Sequence, residues 1–483
     1  MSLENYNTYT YVPSVPLENY QSDKDTSVAT PCLAYKDMYA HWELPVTLMG
    51  GTLAIKAEGR KYLPQEPKES YGAYKCRLDR TVLYEAYPRT IQALAGLAFT
   101  SPVVVEDVPP ELQYLLEDTD NMGTDLTSLA NDLLEDQLNF GITHLLVDMP
   151  QVEGTVTLAQ QEELKIRPYF THVSPLNLIS WSVERVGGLL QLSEIRIKET
   201  VVEKDGWAEK EVEQVRQITR DSITLWKKKE REWHVVTQLP NNLGYIPLVT
   251  IYGNKTGVMT ARPPLEGLAW LNLRHYQKLS DLDNIEHIVN VPFLFGRGFK
   301  DGELNGATIG AYRLISTDVE TADLKFVEHS GSSIGASQNS LDKLEARMAS
   351  MGADILIRKS VDRQTATARM IDQSESISLL QIMVNNLEGA IQKAFKIAGD
   401  WIDVSSKVIV NIGNNLKTSE SGPNTADKIL DIITSQNGMT VDQAIVELQR
   451  RGILSDTYNK TDSTINPVTP SDQNGTVTET VTA

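Results

Sequence analysis

Between Ser340 and Ile402 two helical patterns meet across a short basic hinge, and a chain holding such a pair has few ways to fold around it. In the first, Leu341, Leu344, Met348, Met351 and Ile355 recur every three or four positions and share one helix face. Ser340 or Asn339 is placed to cap its start, and Asp342 falls in the first turn, where the helix dipole favours an anion. The second pattern runs from Thr365 to Ile402, with Leu380, Val384, Leu387, Ile391, Ala394 and Ala398 in phase. Unbroken, it is a rod of roughly 55 Å at about 1.5 Å per residue, well beyond the usual helix of about three turns. Gly352 weakens the first helix near its end. The hinge from Arg358 to Arg363 is polar and positive.

The rest of the chain supplies a frame for this pair. Residues 1 to about 30 are rich in Tyr, Asn, Ser and Pro without periodicity, which predicts an extended arm that orders only on a partner. A weakly amphipathic segment follows from Lys36 to Gly50, then a proline-punctuated turn from Tyr62 to Tyr71. A helix is predicted over 73–96, with Tyr84, Tyr87, Ile91 and Leu94 on one face and Pro88 kinking or splitting it. Asp125 to Phe140 reads as a helix with Leu126, Leu129, Leu133 and Leu134 inward and Gly141 as its stop, leading into a buried strand from Ile142.

From Leu164 to Tyr252 the period changes to two. Strands are predicted at 164–170, 189–200, 212–219, 222–228, 232–238 and 246–252, as one antiparallel sheet with a wet side. A long helix from Leu265 to Val289 follows, with Leu268, Leu271, His275, Leu279, Leu282 and Ile285 in phase. Residues 290–339 then form a β-rich insert, with strand candidates after Asn290 and at 312–316 and 324–328. Beyond Ile402 lie a strand candidate at 404–412, two short helices at 424–436 and 440–451, and a Thr, Ser, Asn and Pro-rich tail. The class is α+β.

Composition narrows the function. A hydrophobic fraction of 41% and a charged fraction of 23% in 483 residues are those of a globular protein of several domains. No run of eighteen apolar residues exists, so no membrane span is expected, and the N-terminus lacks the basic start and apolar core of a secretory signal. Cys32 and Cys76 suggest neither a disulfide framework nor a zinc site, and a reducing cytoplasm suits them. A net charge of −19 argues against a nucleic-acid wrapper, because phosphate binding needs clustered Lys and Arg.

Two helices flanking a β-rich insert, then a basic hinge, then a very long helix, form an order that resembles the core of tailed-bacteriophage portal proteins. The helix ending Ala95-Gly96-Leu97-Ala98-Phe99 and the helix, Gly141, strand unit resemble further parts of that family. The resemblance implies a portal-like α+β fold with an α-helical core. Its parts would be an extended arm (1–30), a wing of helices and antiparallel sheet (31–260), a stem helix (261–289) and a clip (290–339). A second stem helix (340–356), a tunnel loop (357–364), a long wing or core helix (365–402), a helical crown (403–460) and a disordered tail (461–483) complete it. It further implies a homo-oligomeric ring, a dodecamer by analogy, in the virion at one capsid vertex and assembled in the host cytoplasm. Double-stranded DNA would pass through without sequence readout. The major capsid protein, the terminase large subunit, a head-tail adaptor and scaffold or internal proteins would be its partners, with no membrane.

Candidate chemistry is sparse. The seven histidines show no metal-binding spacing, and no phosphate-binding glycine loop is present. Glu162 with Glu163, and Asp281 with Asp283, fall on wet faces. No catalytic residue, metal ligand or cofactor is assigned, and the chain is not expected to be an enzyme. Lys227, Lys228, Lys229 and Arg231 read either as a nucleic-acid contact or as a charged sheet edge that blocks aggregation. By the resemblance, Arg358, Lys359 and Arg363 face the DNA channel; by their composition alone they are equally a solvated loop. A head-tail adaptor, a minor capsid component and a nucleic-acid-processing enzyme are the alternatives that the sequence leaves open.

Overall fold

A computed structural model of the chain describes residues 27–150, 165–289, 293–297, 321, 323–327, 332–353 and 366–413. The fold is α+β. Helix α1 (Leu33–Met49) carries the amphipathic segment read in the sequence, and α2 (Gly51–Ala57) continues after a break at Gly50. Trp42 anchors α1: its Nε1–H donates to the Phe140 carbonyl at 3.0 Å, and Phe140 and Tyr35 meet its ring edge-on.

The helix expected over 73–96 is two helices, α3 (Tyr71–Arg80) and α4 (Ala86–Ala98). The cut falls earlier than Pro88. Thr81 turns extended at ψ 135° and closes α3 with its hydroxyl on the Arg77 carbonyl. Pro88 therefore lies in the first turn of α4, where its missing N–H has no helical partner to lose. Arg77 is buried in α3 and clamps the preceding turn, with a fork of two bonds at 2.9 Å to Glu69 and one at 2.8 Å to the Pro64 carbonyl.

Strand β1 (Val104–Glu106) pairs antiparallel with the strand Ile409–Asn411, so the last strand of the described chain returns to the segment that follows α4. Helix α5 (Leu126–Phe140) is as the sequence predicts. Asp125 caps it by accepting from the Thr127 and Ser128 N–H groups, and Gly141 ends it in the left-handed conformation at φ 78°. Directly after it, β2 (Ile142–Asp148) is buried on both faces as the centre of a three-stranded antiparallel sheet. Its neighbours are β3 (Tyr169–Val173) and, far along the chain, Leu248–Tyr252.

That pairing corrects the single sheet expected from the alternation. The segments near 164–170 and 246–252 join β2, and a separate five-stranded meander lies between them. It comprises β4 (Leu178–Val186), β5 (Leu189–Asp205), β6 (Ala208–Thr219), β7 (Ser222–Lys229) and β8 (Glu232–Pro240). β4 was not expected, and register shifts at two places along it disturb its alternation. One face of the meander packs Ile195, Ile197 and Ile218 against Leu146, Val173 and Leu248 of the smaller sheet. On its opposite face Lys198 and Lys228 reach solvent, although Val215 on the same face is buried. After β9 (Leu248–Tyr252), a small hairpin of β10 (Lys255–Gly257) and β11 (Thr260–Ala261) leads to the long helices.

These are α6 (Glu266–Val289), α7 (Ser332–Met348) and α8 (Ala366–Trp401), with the antiparallel ribbon β12 (Phe293–Arg297) and β13 (Asp323–Val327) between the first two. α7 begins eight residues before Ser340, so neither Asn339 nor Ser340 is its cap. It ends in a π-helical turn, Ala349–Ala353, broken at Gly352 with φ 124°, a conformation that suits glycine. The strand expected at 404–412 shortens to β14 (Ile409–Asn411). The strand candidate at 312–316, Glu162 with Glu163, and the helices at 424–436 and 440–451 lie outside the described residues.

Candidate functional site

The part of the molecule that the sequence singles out is built on α6 and α7. They run antiparallel, as three cross-helix bonds show: Gln338 to Glu286 at 3.2 Å, Lys278 to Ser340, and His275 to Glu345 at 3.3 Å. At the other end, Gly267 lets Met351 approach so closely that a side chain there would collide with its methyl group. The ribbon β12–β13 joins the far ends of the pair.

A polar seam fixes α6 to the body. Asn272 is fully buried; its Oδ1 accepts from the Tyr87 N–H at 2.9 Å and its Nδ2 donates to the Tyr84 carbonyl at 2.7 Å. It thereby takes up the Tyr87 N–H, one of the first-turn donors of α4 that lack a helical acceptor, and adds a second donor to the Tyr84 carbonyl, which already accepts from Ala86. One turn on, the His275 ring packs against Tyr84 at 5.0 Å between centroids, tilted by 36°. Burial pushes the His275 imidazole down, and Glu345 opposes that by favouring the cation. Further along, Gln277 donates to the Tyr62 carbonyl, while Arg77 and Thr81 reach Ser280. The sequence phase through Leu268, His275 and Leu282 is observed, but the centre of the buried stripe is Asn272 and Tyr276, which a count of apolar positions overlooks.

The long helix α8 is held by its C-terminal half. Phe395 meets Phe170 edge-on at 5.4 Å, and Trp401 donates to the Val147 carbonyl at 3.1 Å. Glu388 accepts from the Ile412 N–H at 2.7 Å, and the Tyr245 hydroxyl donates to Asp400 at 2.6 Å. Gln137 of α5 donates to the carbonyls of Tyr252 and Met383, tying α5, β9 and α8 together. A substantial, rigidly seated helix thus follows the α6–α7 hairpin.

Arg358, Lys359 and Arg363 lie outside the described residues, between the turn at Ala349–Ala353 and the start of α8. In the basic run at the end of β7, Lys227 pairs with Glu203 at 2.6 Å and Lys228 with Glu213. Asp281 is exposed and lies 3.9 Å from Arg77. Among the described residues, His41 pairs with Glu266, His172 with Asp136 and His275 with Glu345. His144 is packed in β2 beside Thr250. Among the described residues no cluster of three or more metal-ligating side chains occurs, and no helix is long and apolar enough to cross a membrane.

One family model matches residues 264–402, and its description is a domain of unknown function, DUF4055. The matched stretch runs from the start of α6 to the end of α8 and is less than half of the chain. No curated protein matches. Among solved structures, the chain is similar to one from the virion of a native gene transfer agent particle, with 11% identity and a TM-score of 0.43 over 75% of this chain and 89% of that one. Two others come from the neck of a native particle computed with C12 symmetry (11% identity, TM-score 0.41) and the neck of an empty particle computed with C6 symmetry (10%, 0.41). Each of these two also covers 75% of this chain and 89% of the other.

Proposed function

We propose that the chain is the repeating subunit of a closed ring at one vertex of a tailed-phage-type head, through which double-stranded DNA is packaged and released. The observation that carries this reading is the α6–α7 hairpin. It is clamped to the body by Asn272 and Arg77, tipped by a β-ribbon, and followed by a π-turn, a basic segment and the helix α8, which is seated by its C-terminal half. In a portal-like ring the hairpin would form the stem, the ribbon part of the clip, and residues 357–364 the tunnel loop. A ring of this kind needs a heterologous contact whose rotation closes, and twelve copies is the number the resemblance carries. The subunit does no chemistry in this reading. The terminase large subunit, the capsid and the head-tail adaptor would dock on it. Sedimentation of the purified protein tests assembly: a discrete species well above a tetramer is expected, and a folded species of one chain mass at every concentration would refute it.

The loop gives a second test. Arg358, Lys359 and Arg363 would be repeated around the axis, and their field would reach phosphates within about one Debye length, roughly 8–10 Å at physiological salt. The overall charge of −19 makes the rest of the bore repelling, so the loop would act as a weak local hold without sequence readout. Changing all three to alanine is expected to leave ring assembly intact and to alter the amount of DNA retained in filled heads. Unchanged DNA length and retention would make the loop a plain connector. Loss of the ring would move these residues to a subunit interface.

A further inference from the structure

The outer face of the five-stranded meander carries a cavity of about 490 Å³ with an excess of positive charge. Lys198 on β5, Lys228 on β7 and Arg231 in the turn before β8 line it, with Glu213 on β6 as the one carboxylate and Trp233 as an aromatic wall. Glu213 is shared: Lys198 lies 2.7 Å from one oxygen and Lys228 pairs with the other. Bonds from Lys198 and then Lys228 hold its carboxyl down at about 2, so it is ionised and still outnumbered three to one. Lys228 also stands 6.0 Å above the Trp233 ring.

Ser27 and Ala29 complete the lining, so the chain N-terminal to them departs from this same site. The departure point is fixed, because Arg196, two residues before Lys198 on the same strand face, donates to the Val28 carbonyl at 2.7 Å. The segment upstream is complementary to the cavity. Residues 1–26 contain Glu4, Glu18, Asp23 and Asp25 against Lys24 alone, with Tyr20 placed between the acidic positions. At about 3.3–3.6 Å per extended residue, Asp25, Asp23, Tyr20 and Glu18 are all within reach of a cavity that begins at Ser27.

We propose that residues 18–25 of the same chain occupy this cavity, with Glu18, Asp23 and Asp25 meeting Lys198, Lys228 and Arg231, and with Tyr20 against Trp233. Each such ion pair is weak on an exposed sheet. A tether of a few residues gives the segment a millimolar effective concentration, which favours its own chain over a neighbour's. The contact would weaken as salt is raised.

The experiment is zero-length carbodiimide cross-linking of the full chain, assembled from an equal mixture of isotopically light and heavy protein, with hydrogen exchange as a second readout. Expected are cross-links from Lys198 or Lys228 to Glu18, Asp23 or Asp25 within chains of one isotope. Amides 18–25 are expected to exchange more slowly than in a free peptide of residues 1–26. The triple variant Lys198→Glu, Lys228→Glu, Arg231→Glu should lose that protection while the amides of β2 keep theirs. Exchange at the free-peptide rate in the unaltered protein, or mixed light–heavy species making up about half of the cross-links, as random pairing between chains requires, would overturn the proposal.

Discussion

Gly141→Ala is expected to cost the protein at least about 4 kcal/mol, a large part of the about 5–15 kcal/mol that holds a typical protein folded. Gly141 ends α5 at φ 78°, where an L side chain pays about 1–2 kcal/mol in backbone strain alone. The larger part comes from packing. A Cβ at this position would overlap the carbonyl of Arg262, which is main chain and has no rotamer to escape by. Both polar groups of Gly141 are also committed: its N–H donates to the Gln137 carbonyl, and its carbonyl accepts from Gly253 and Asn254. Moving the residue aside would break the junction of α5, β2 and the hairpin of β10 and β11. Gly188→Ala is the control. It sits at φ 87° in a turn with nothing near its would-be Cβ, so only the strain of about 1–2 kcal/mol applies. Urea unfolding of the two variants should separate them clearly, and equal losses would mean that the close approach to Arg262 is not rigid.

Acid should destabilise the protein through His144. This residue is buried at the centre of the three-stranded sheet, and desolvation, with a smaller contribution from His172, pushes its pKa from 6.5 down to about 3. The unfolded chain therefore binds a proton that the folded chain refuses between those values. The stability associated with the neutral imidazole is complete above pH 6.5 and is lost as pH falls toward about 3. The expected slope from this one group is about 1.4 kcal/mol per pH unit over that window, or about 4–5 kcal/mol in all. His144→Gln has no such proton to bind, so its stability should overtake or approach that of the unaltered protein as pH drops from 6 to 4. Parallel curves for the two proteins would show that His144 is reached by water or gains an anionic partner.

Local rules made some of this structure readable from the sequence and left the rest hidden. The α5–Gly141–β2 unit was legible because a capping Asp, an apolar period and a stopping Gly all agree there. The length of α8 was legible because nothing in it interrupts the period. The start of α7 was not, since residues 332–339 are rich in Ser and carry no apolar period, and Gln338 ties this turn to Glu286 of α6. The partner of β9 was not legible either. Alternation says that a strand exists but not which strand it joins, and its true neighbour β2 lies about a hundred residues away. Asn272 was missed because a buried amide among apolar positions looks like an error in the stripe until the broken helix between Thr81 and Ala86 shows what it satisfies. For Arg358, Lys359 and Arg363 the sequence offers only charge and position, which set the expectation without fixing an orientation.

The central claim is that this chain closes into a ring around a channel. Negative-stain electron microscopy of the purified full-length protein tests it most directly. End-on class averages should show rings with a stain-filled central hole and a fixed rotational symmetry, twelvefold if the resemblance extends to the subunit number. Side views should show a narrow stem made by the α6–α7 hairpins projecting from a wider body. Uniform compact particles of single-chain size, without a central hole at any concentration at which the protein is folded, would contradict the account.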